Sequence, residues 1–262
     1  MTTIKMESLR SIFLTMRFGE QVLSTGTGFI CRAASSRLCI VTNRHNVTGR
    51  RQDNDQPLSR MGAIPDNLVA RIPMISDQGE DGSRKAFKLA WATYETVLHV
   101  PDGRPKWREH PSLGSRADFV ALPLEDEVSI HDELISPTTP PPNLEIVLGP
   151  TDQVSIIGYP FGESAGANMA IWVNGTIASE PVVDYNEMPI LLVDCRGRQG
   201  QSGSPVLAYR SGGAIALQNG NTAMCTGPVQ NFVGIYSGRI RDDSDIGMIW
   251  KASAVRELLA SV

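Results

Sequence analysis

Short apolar or alternating runs recur along the chain with turn residues between them: SIFLTMRF, STGTGFIC, RLCIVTN, KLAWATYETVLHV, DFVALPL, QVSIIGYP, AIWVNGTIA, PILLVDC, SPVLAYR, NFVGIYSG and GMIWK. Each has the length and the β-branched and aromatic content of a strand, and the spacing is that of an all-β sandwich or barrel. One segment departs from this period. SAVRELLASV sets Val255, Leu258, Leu259 and Val262 on one helical face and predicts a C-terminal helix. SRMGAIPDNLVARIP carries too many breakers to predict an element.

Near the middle, ISPTTPPPNL (135–144) has four prolines within six positions and predicts an extended, semi-rigid connector. It divides the strands about evenly, so two β-barrel-like halves are expected: residues 1–134, and residues 145–262 with the helix at their end. Between Arg50 and Arg116 lie RRQDNDQPLSR and SDQGEDGSRK, rich in charge and turn residues, which predict long surface insertions in the first half.

The chain has 262 residues, 41% hydrophobic and 20% charged, as in a globular protein of one large domain or two compact halves. A net charge of −4 gives no electrostatic reason to expect nucleic acid or an anionic membrane as partner. Before Arg17 the only apolar stretch is SIFLTM, too short for a signal core, and no run has the length of a membrane span, so a cytoplasmic location is expected. Cys31, Cys39, Cys195 and Cys225 show no CxxC spacing. They are expected to be reduced thiols, with Cys31 and Cys39 facing each other if their runs form a hairpin. No phosphate-loop or HExxH pattern occurs, so neither metal nor cofactor is expected. HDEL (131–134) is internal and cannot be a retrieval signal, and the sequons at Asn46 and Asn174 need a secretory route.

RGRQGQSGSP (196–205) places hydroxyls on a glycine-rich bend between two apolar runs. Such a bend is an ordinary loop unless a base and an orienting acid lie elsewhere, because a serine hydroxyl is a poor nucleophile alone. Two residues could supply them. His45 closes the apolar run LCIVTNRH and is followed by NVTG, read as a turn back to solvent; Asp118 opens DFVALPL, where a carboxylate can be buried enough to hold an imidazole. GESAG (162–166) matches the nucleophile elbow of α/β-hydrolases, but that fold needs serine, acid, then histidine, and every histidine here precedes Ser164. A loop is expected there instead.

Four segments, GTGFI…CIVTNRH, ADFVALPL, GQSGSPV and VGIYSG, resemble in order the landmark segments of trypsin-like serine peptidases of the chymotrypsin superfamily, above all the bacterial intracellular type without disulfides. The resemblance implies two six-stranded antiparallel β-barrels with a cleft between them. Ser202 would attack the carbonyl, His45 would carry the proton and Asp118 would orient His45. The N–H groups of Gly200 and Ser202 would form the oxyanion hole; Ser204, the rival serine, lacks such donors. Arg196 would lie near the base of the primary specificity pocket, with Ser237, Gly238 and Arg239 as its wall and edge and Gly247 on the far side. The two arginines would favour an acidic residue before the scissile bond, and Asp242, Asp243 and Asp245 could reverse that sign.

One position departs from the secreted members of the family. Gln201 stands where they carry an aspartate that pairs with a newly cut N-terminal amine, so activation by propeptide cleavage is not expected. Activity would be constitutive or gated by an intracellular regulatory protein that orders CRGRQGQSG. The implied enzyme is an endopeptidase acting on proteins or peptides, with no further domain after the second half. The alternatives are a catalytically silent fold used for binding or sensing, an esterase with the same triad, and, as context, the protease effector of an intracellular defence system.

Overall fold

The computed structural model describes residues 4–59, 61–81, 84–241 and 243–262. The first half holds helix α1 (Glu7–Arg10), strands β1 (Ser11–Phe18), β2 (Gln21–Arg32) and β3 (Leu38–Thr42), and helix α2 (Arg44–Thr48). Strands β4 (Asn67–Asp81), β5 (Arg84–Val97), β6 (Arg108–Glu109) and β7 (Val120–Pro123) complete it. The second half holds β8 (Gln153–Gly158), β9 (Ile171–Ile177), β10 (Ile190–Cys195), β11 (Pro205–Arg210), β12 (Gly213–Ala216), β13 (Thr222–Cys225), β14 (Val229–Arg239) and β15 (Ile246–Lys251), followed by helix α3 (Ala252–Ala260). The fold is all-β and chymotrypsin-like. No helix among the described residues is long and apolar enough to cross a membrane.

Among the described residues, β10-β15-β14-β11-β8-β9 close a six-stranded antiparallel barrel in the second half. The first half differs from the expected six strands: its ladder runs β5-β4-β1-β2-β3-β7-β6, seven strands with β5 and β6 at the edges. The apolar runs of β3 and β7 are explained by what lies on their two faces. Ile40, Val120 and Leu122 point into the first half's own core. Their neighbours Cys39, Val41, Phe119 and Ala121 point the other way, into a cluster shared with Ile157, Tyr159, Phe232, Ile235 and Trp250 of the second half. Strands buried on both faces lose the polar alternation of a half-exposed sheet.

Two readings of the first half are corrected. SRMGAIPDNLVARIP, too broken to predict an element, ends in the first residues of the long strand β4, which pairs with β1 and β5 and buries Leu68, Ala70 and Ile72. Pro73 obscured this strand, since a proline cannot donate to a ladder. It sits past Arg71, the last residue of β4 paired with β1, where only β5 flanks the strand. The NVTG segment is likewise not a turn to solvent: Asn46, Val47 and Thr48 are buried in α2, and Gly49 ends that helix in the left-handed region, its N–H donating to the His45 carbonyl.

The helix α3 buries Val255, Leu258 and Leu259 as its apolar face requires, and it packs into the cluster between the halves. Its C-terminal turn also reaches the β2–β3 connection, where Ala34 N–H donates to the Leu259 carbonyl at 3.0 Å. The connector is pinned at both ends: Ser136 N–H donates to the Ile30 carbonyl at 2.7 Å and the Arg256 guanidinium to the Thr138 carbonyl at 2.9 Å near its start, and the Asn231 amide donates to the Leu144 carbonyl at 3.1 Å at its end. Cys31 and Cys39 lie opposite each other on β2 and β3 as free thiols. Leu258→Ala, a truncation at a fully buried site, is expected to lower the unfolding free energy by about 2–5 kcal/mol, read by urea denaturation.

Candidate active site

Strand register brings the acid to the histidine. Thr42 of β3 pairs with Val120 of β7 in an antiparallel ladder, so the same register carried past the strand ends sets Asp118 beside the start of α2. There the Asp118 carboxylate, in a residue only 2% exposed, takes three donors. Its Oδ1 accepts the His45 backbone N–H at 3.0 Å, and its Oδ2 meets His45 Nδ1 at 2.7 Å and the Ser237 hydroxyl at 2.5 Å. Asn43, fully buried, donates from its amide to the Asp118 carbonyl at 2.6 Å and fixes the backbone. With Nδ1 donating to the carboxylate, the lone pair of the neutral imidazole is on Nε2, the nitrogen left to accept a proton.

Ser202 stands on a turn that the first half grips directly. Its carbonyl accepts the Thr27 N–H at 2.9 Å and the Asn46 amide at 3.3 Å, and the Thr27 hydroxyl donates to the Gly200 carbonyl at 2.8 Å. Gly200 has φ +92°, and a Cβ there would run into the Tyr159 carbonyl oxygen, so only glycine fits. The Gln199 carbonyl accepts the Phe161 N–H at 2.6 Å. In a planar trans peptide the Gly200 N–H must then point the opposite way. Among the described residues neither the Gly200 nor the Ser202 N–H has a protein acceptor.

His45, Asp118, Gly200, Ser202, Ser237 and Arg239 line one cleft of about 980 Å³ between the halves. The Ser202 hydroxyl makes no hydrogen bond among the described residues, to His45 or to any other group. Ser204 is fully buried. Arg196 is exposed and does not line the cleft, nor do Gly238 and Gly247. Ser237, expected as pocket wall, lines the cleft and also supplies a hydroxyl to Asp118. Asp242 lies outside the described residues. Ser164 lies in an irregular loop after β8, as its segment's composition predicts. The HDEL segment forms a single 3-10 turn, capped where His131 Nδ1 accepts the Glu133 N–H at 3.2 Å. Among the described residues no group of three or more His, Cys, Asp and Glu side chains could hold a metal ion.

The family model of the trypsin-like peptidase domain matches residues 26–217, well over half the chain. The chain belongs to the trypsin-like peptidase family. It is therefore a serine peptidase, a hydrolase. No curated protein matches the peptidase in sequence. Among solved structures, the thermostable serine protease AL20 from an extremophilic microorganism is 12% identical with a TM-score of 0.52, covering 98% of each chain. The Rv3671c protease of M. tuberculosis in its active form is 17% identical with a TM-score of 0.46, covering 97% of this chain and 80% of that one.

Sequence reading of the peptidase missed two contributors. Asn46 and Thr27 hold the Ser202 turn through its carbonyls. Thr27 lies inside GTGF, and a small polar residue within a strand was its only signal.

Burial pulls the His45 pKa down, but the Asp118 charge and its hydrogen bond outweigh this and leave the imidazole above its usual range. His45 is accordingly expected to titrate in NMR above about 6.5, and below that value in Asp118→Asn, where burial acts alone. The stability contributed by the pair is present at low pH and is lost as pH rises through the folded-state pKa. Thr27→Val, which orphans the Gly200 carbonyl and the Tyr159 N–H that bonds the same hydroxyl at 3.1 Å, is expected to cost about 1–3 kcal/mol of unfolding free energy.

Proposed function

We propose that the peptidase is an endopeptidase that cleaves peptide bonds in protein substrates through an acyl-enzyme on Ser202. His45 takes the hydroxyl proton at Nε2 as Ser202 Oγ bonds to the substrate carbonyl carbon, and Asp118 stabilises the imidazolium without taking the proton. The oxyanion is received by the Gly200 and Ser202 N–H groups. As the C–N bond breaks, His45 returns the proton to the leaving amine. Water then repeats the sequence on the ester, releasing the acid. The observation that carries the reading is a buried carboxylate at 2.7 Å from His45 Nδ1 in the same cleft as two N–H groups without protein acceptors. The bond still to be made, from Ser202 to His45, is one that tightens on substrate binding in many enzymes.

The proposal includes activity without propeptide cleavage. What supports it is Gln201, fully buried, whose side-chain oxygen accepts the Arg198 N–H at 2.7 Å while its own N–H donates to the Arg198 carbonyl at 3.2 Å. This side chain braces the 198–202 turn from within, so no new terminal amine is needed there. A regulatory protein, if the cell uses one, would act on the segment from Cys195 to Gly203.

A second reading, a silent fold used for binding, is favoured by one feature, the Ser202 hydroxyl, which makes no hydrogen bond among the described residues. Labelling with an alkyl fluorophosphonate, read by intact mass, separates the two. Wild type is expected to gain one adduct and Ser202→Ala none; an unlabelled wild type would leave the binding reading. Asp118→Asn is expected to lower kcat by about 10⁴-fold, measured on casein-derived peptides.

A further inference from the structure

The edge of β14 beside Ser202 is open for part of its length. β14 pairs with β11 as far as Ile235, and the exchange ends where Gly203 and Tyr236 share a bond at 2.9 Å. Beyond it, Gly238 and Arg239 pair only on the other side, with Met248 and Gly247 of β15. A peptide whose carbonyl reaches the Gly200 and Ser202 N–H groups can run along residues 237–239 as an added strand. Its side chain on the acyl side of the bond then enters between the segment after β10 and the start of β15.

The two walls of that slot are Gly197 and Gly247, which offer no side chains, yet the slot is full. A Cβ on Gly247 would lie 2.6 Å from Tyr236 Cε2, and one on Gly197 would lie 2.9 Å from Tyr236 Cζ and run into the hydroxyl. The Tyr236 ring therefore rests on both glycine backbones. It is 1% exposed and is packed with Val193, Cys195 and Ile249 in the core of the second half. The register shift between Tyr236 and Gly238 turns Tyr236 inward and frees Ser237 to reach Asp118. None of Gly197, Tyr236 and Gly247 borders the open cleft. The ring is held by this packing, and its hydroxyl is directed at the Cys195 side chain.

We propose that Tyr236 sets the specificity of this site by filling the pocket for the residue on the acyl side of the scissile bond, restricting it to glycine, alanine or serine. The inference rests on Ser202 being the nucleophile. It replaces the acidic preference expected from Arg196 and Arg239: Arg196 lies outside the cleft, and the Arg239 stem passes over Gly197, its Cγ at 3.5 Å from where a Cβ would be.

The test uses the whole chain and peptides of one sequence that differ only before the scissile bond, carrying Gly, Ala, Ser, Leu, Phe or Glu. Wild type is expected to favour alanine over leucine, phenylalanine and glutamate by about 100-fold in kcat/KM. Tyr236→Val is expected to narrow or reverse the alanine-to-leucine ratio, and Tyr236→Phe, which keeps the ring, to preserve it. An alkyl fluorophosphonate without an amino-acid side chain reports Ser202 reactivity independently of the pocket. Labelled wild type that cleaves after phenylalanine or glutamate as fast as after alanine overturns the role of Tyr236 alone. So does a labelled Tyr236→Val with the wild-type profile. An unlabelled wild type overturns the nucleophile and this inference together. If Tyr236→Val does not fold, the wild-type ratios and Tyr236→Phe still decide.

Discussion

The candidate catalytic groups come from two halves, His45 and Asp118 from the first and Ser202 from the second, and Thr27 is where the halves are locked in register. Its N–H holds the Ser202 carbonyl at 2.9 Å, and its hydroxyl donates to the Gly200 carbonyl at 2.8 Å while accepting the Tyr159 N–H at 3.1 Å. All of this is buried, where an unmade hydrogen bond costs the full desolvation of its group. Sliding one half against the other would break several such bonds at once, whereas the apolar contacts around them would tolerate small shifts. The apolar cluster between the halves supplies adhesion, and the polar pins at Thr27 fix the position.

The same division of labour appears at Asp118. A carboxylate so little exposed is costly unless it is hydrogen-bonded, and here it has three donors. Two come from His45 and the third from Ser237 in the other half. The raised pKa of His45 comes from Asp118 within its own half, while the second half reaches the same carboxylate through Ser237.

How much of this could be read from the chain follows from which forces act locally. The strands with regular apolar content, β8, β10 and β11 among them, were legible because burial on both faces leaves a continuous run. The C-terminal helix was legible because Val255, Leu258 and Leu259 repeat at helical spacing. β4 was hidden by Pro73, whose tolerance depends on the strand order around it, and α2 by its length of five residues, too short to show a period. His45 and Asp118 stood out because each borders an apolar run, and Ser202 because it lies on a glycine-rich bend between two of them. Tyr236 did not, because in GIYSG it reads as one more strand residue; only its register against Gly197 and Gly247 gives it a distinct place.

The bond between Ala34 and the Leu259 carbonyl carries a consequence for biosynthesis. Helix α3 follows the last strand in the chain, yet its apolar face packs against Phe119 and Val41, which precede the connector. On the ribosome, the first half thus waits for residues made more than a hundred positions later before its surface is covered. A nascent chain that has completed the last strand but not α3 still lacks the Leu259 carbonyl that takes the Ala34 N–H and the apolar face of Val255 and Leu258.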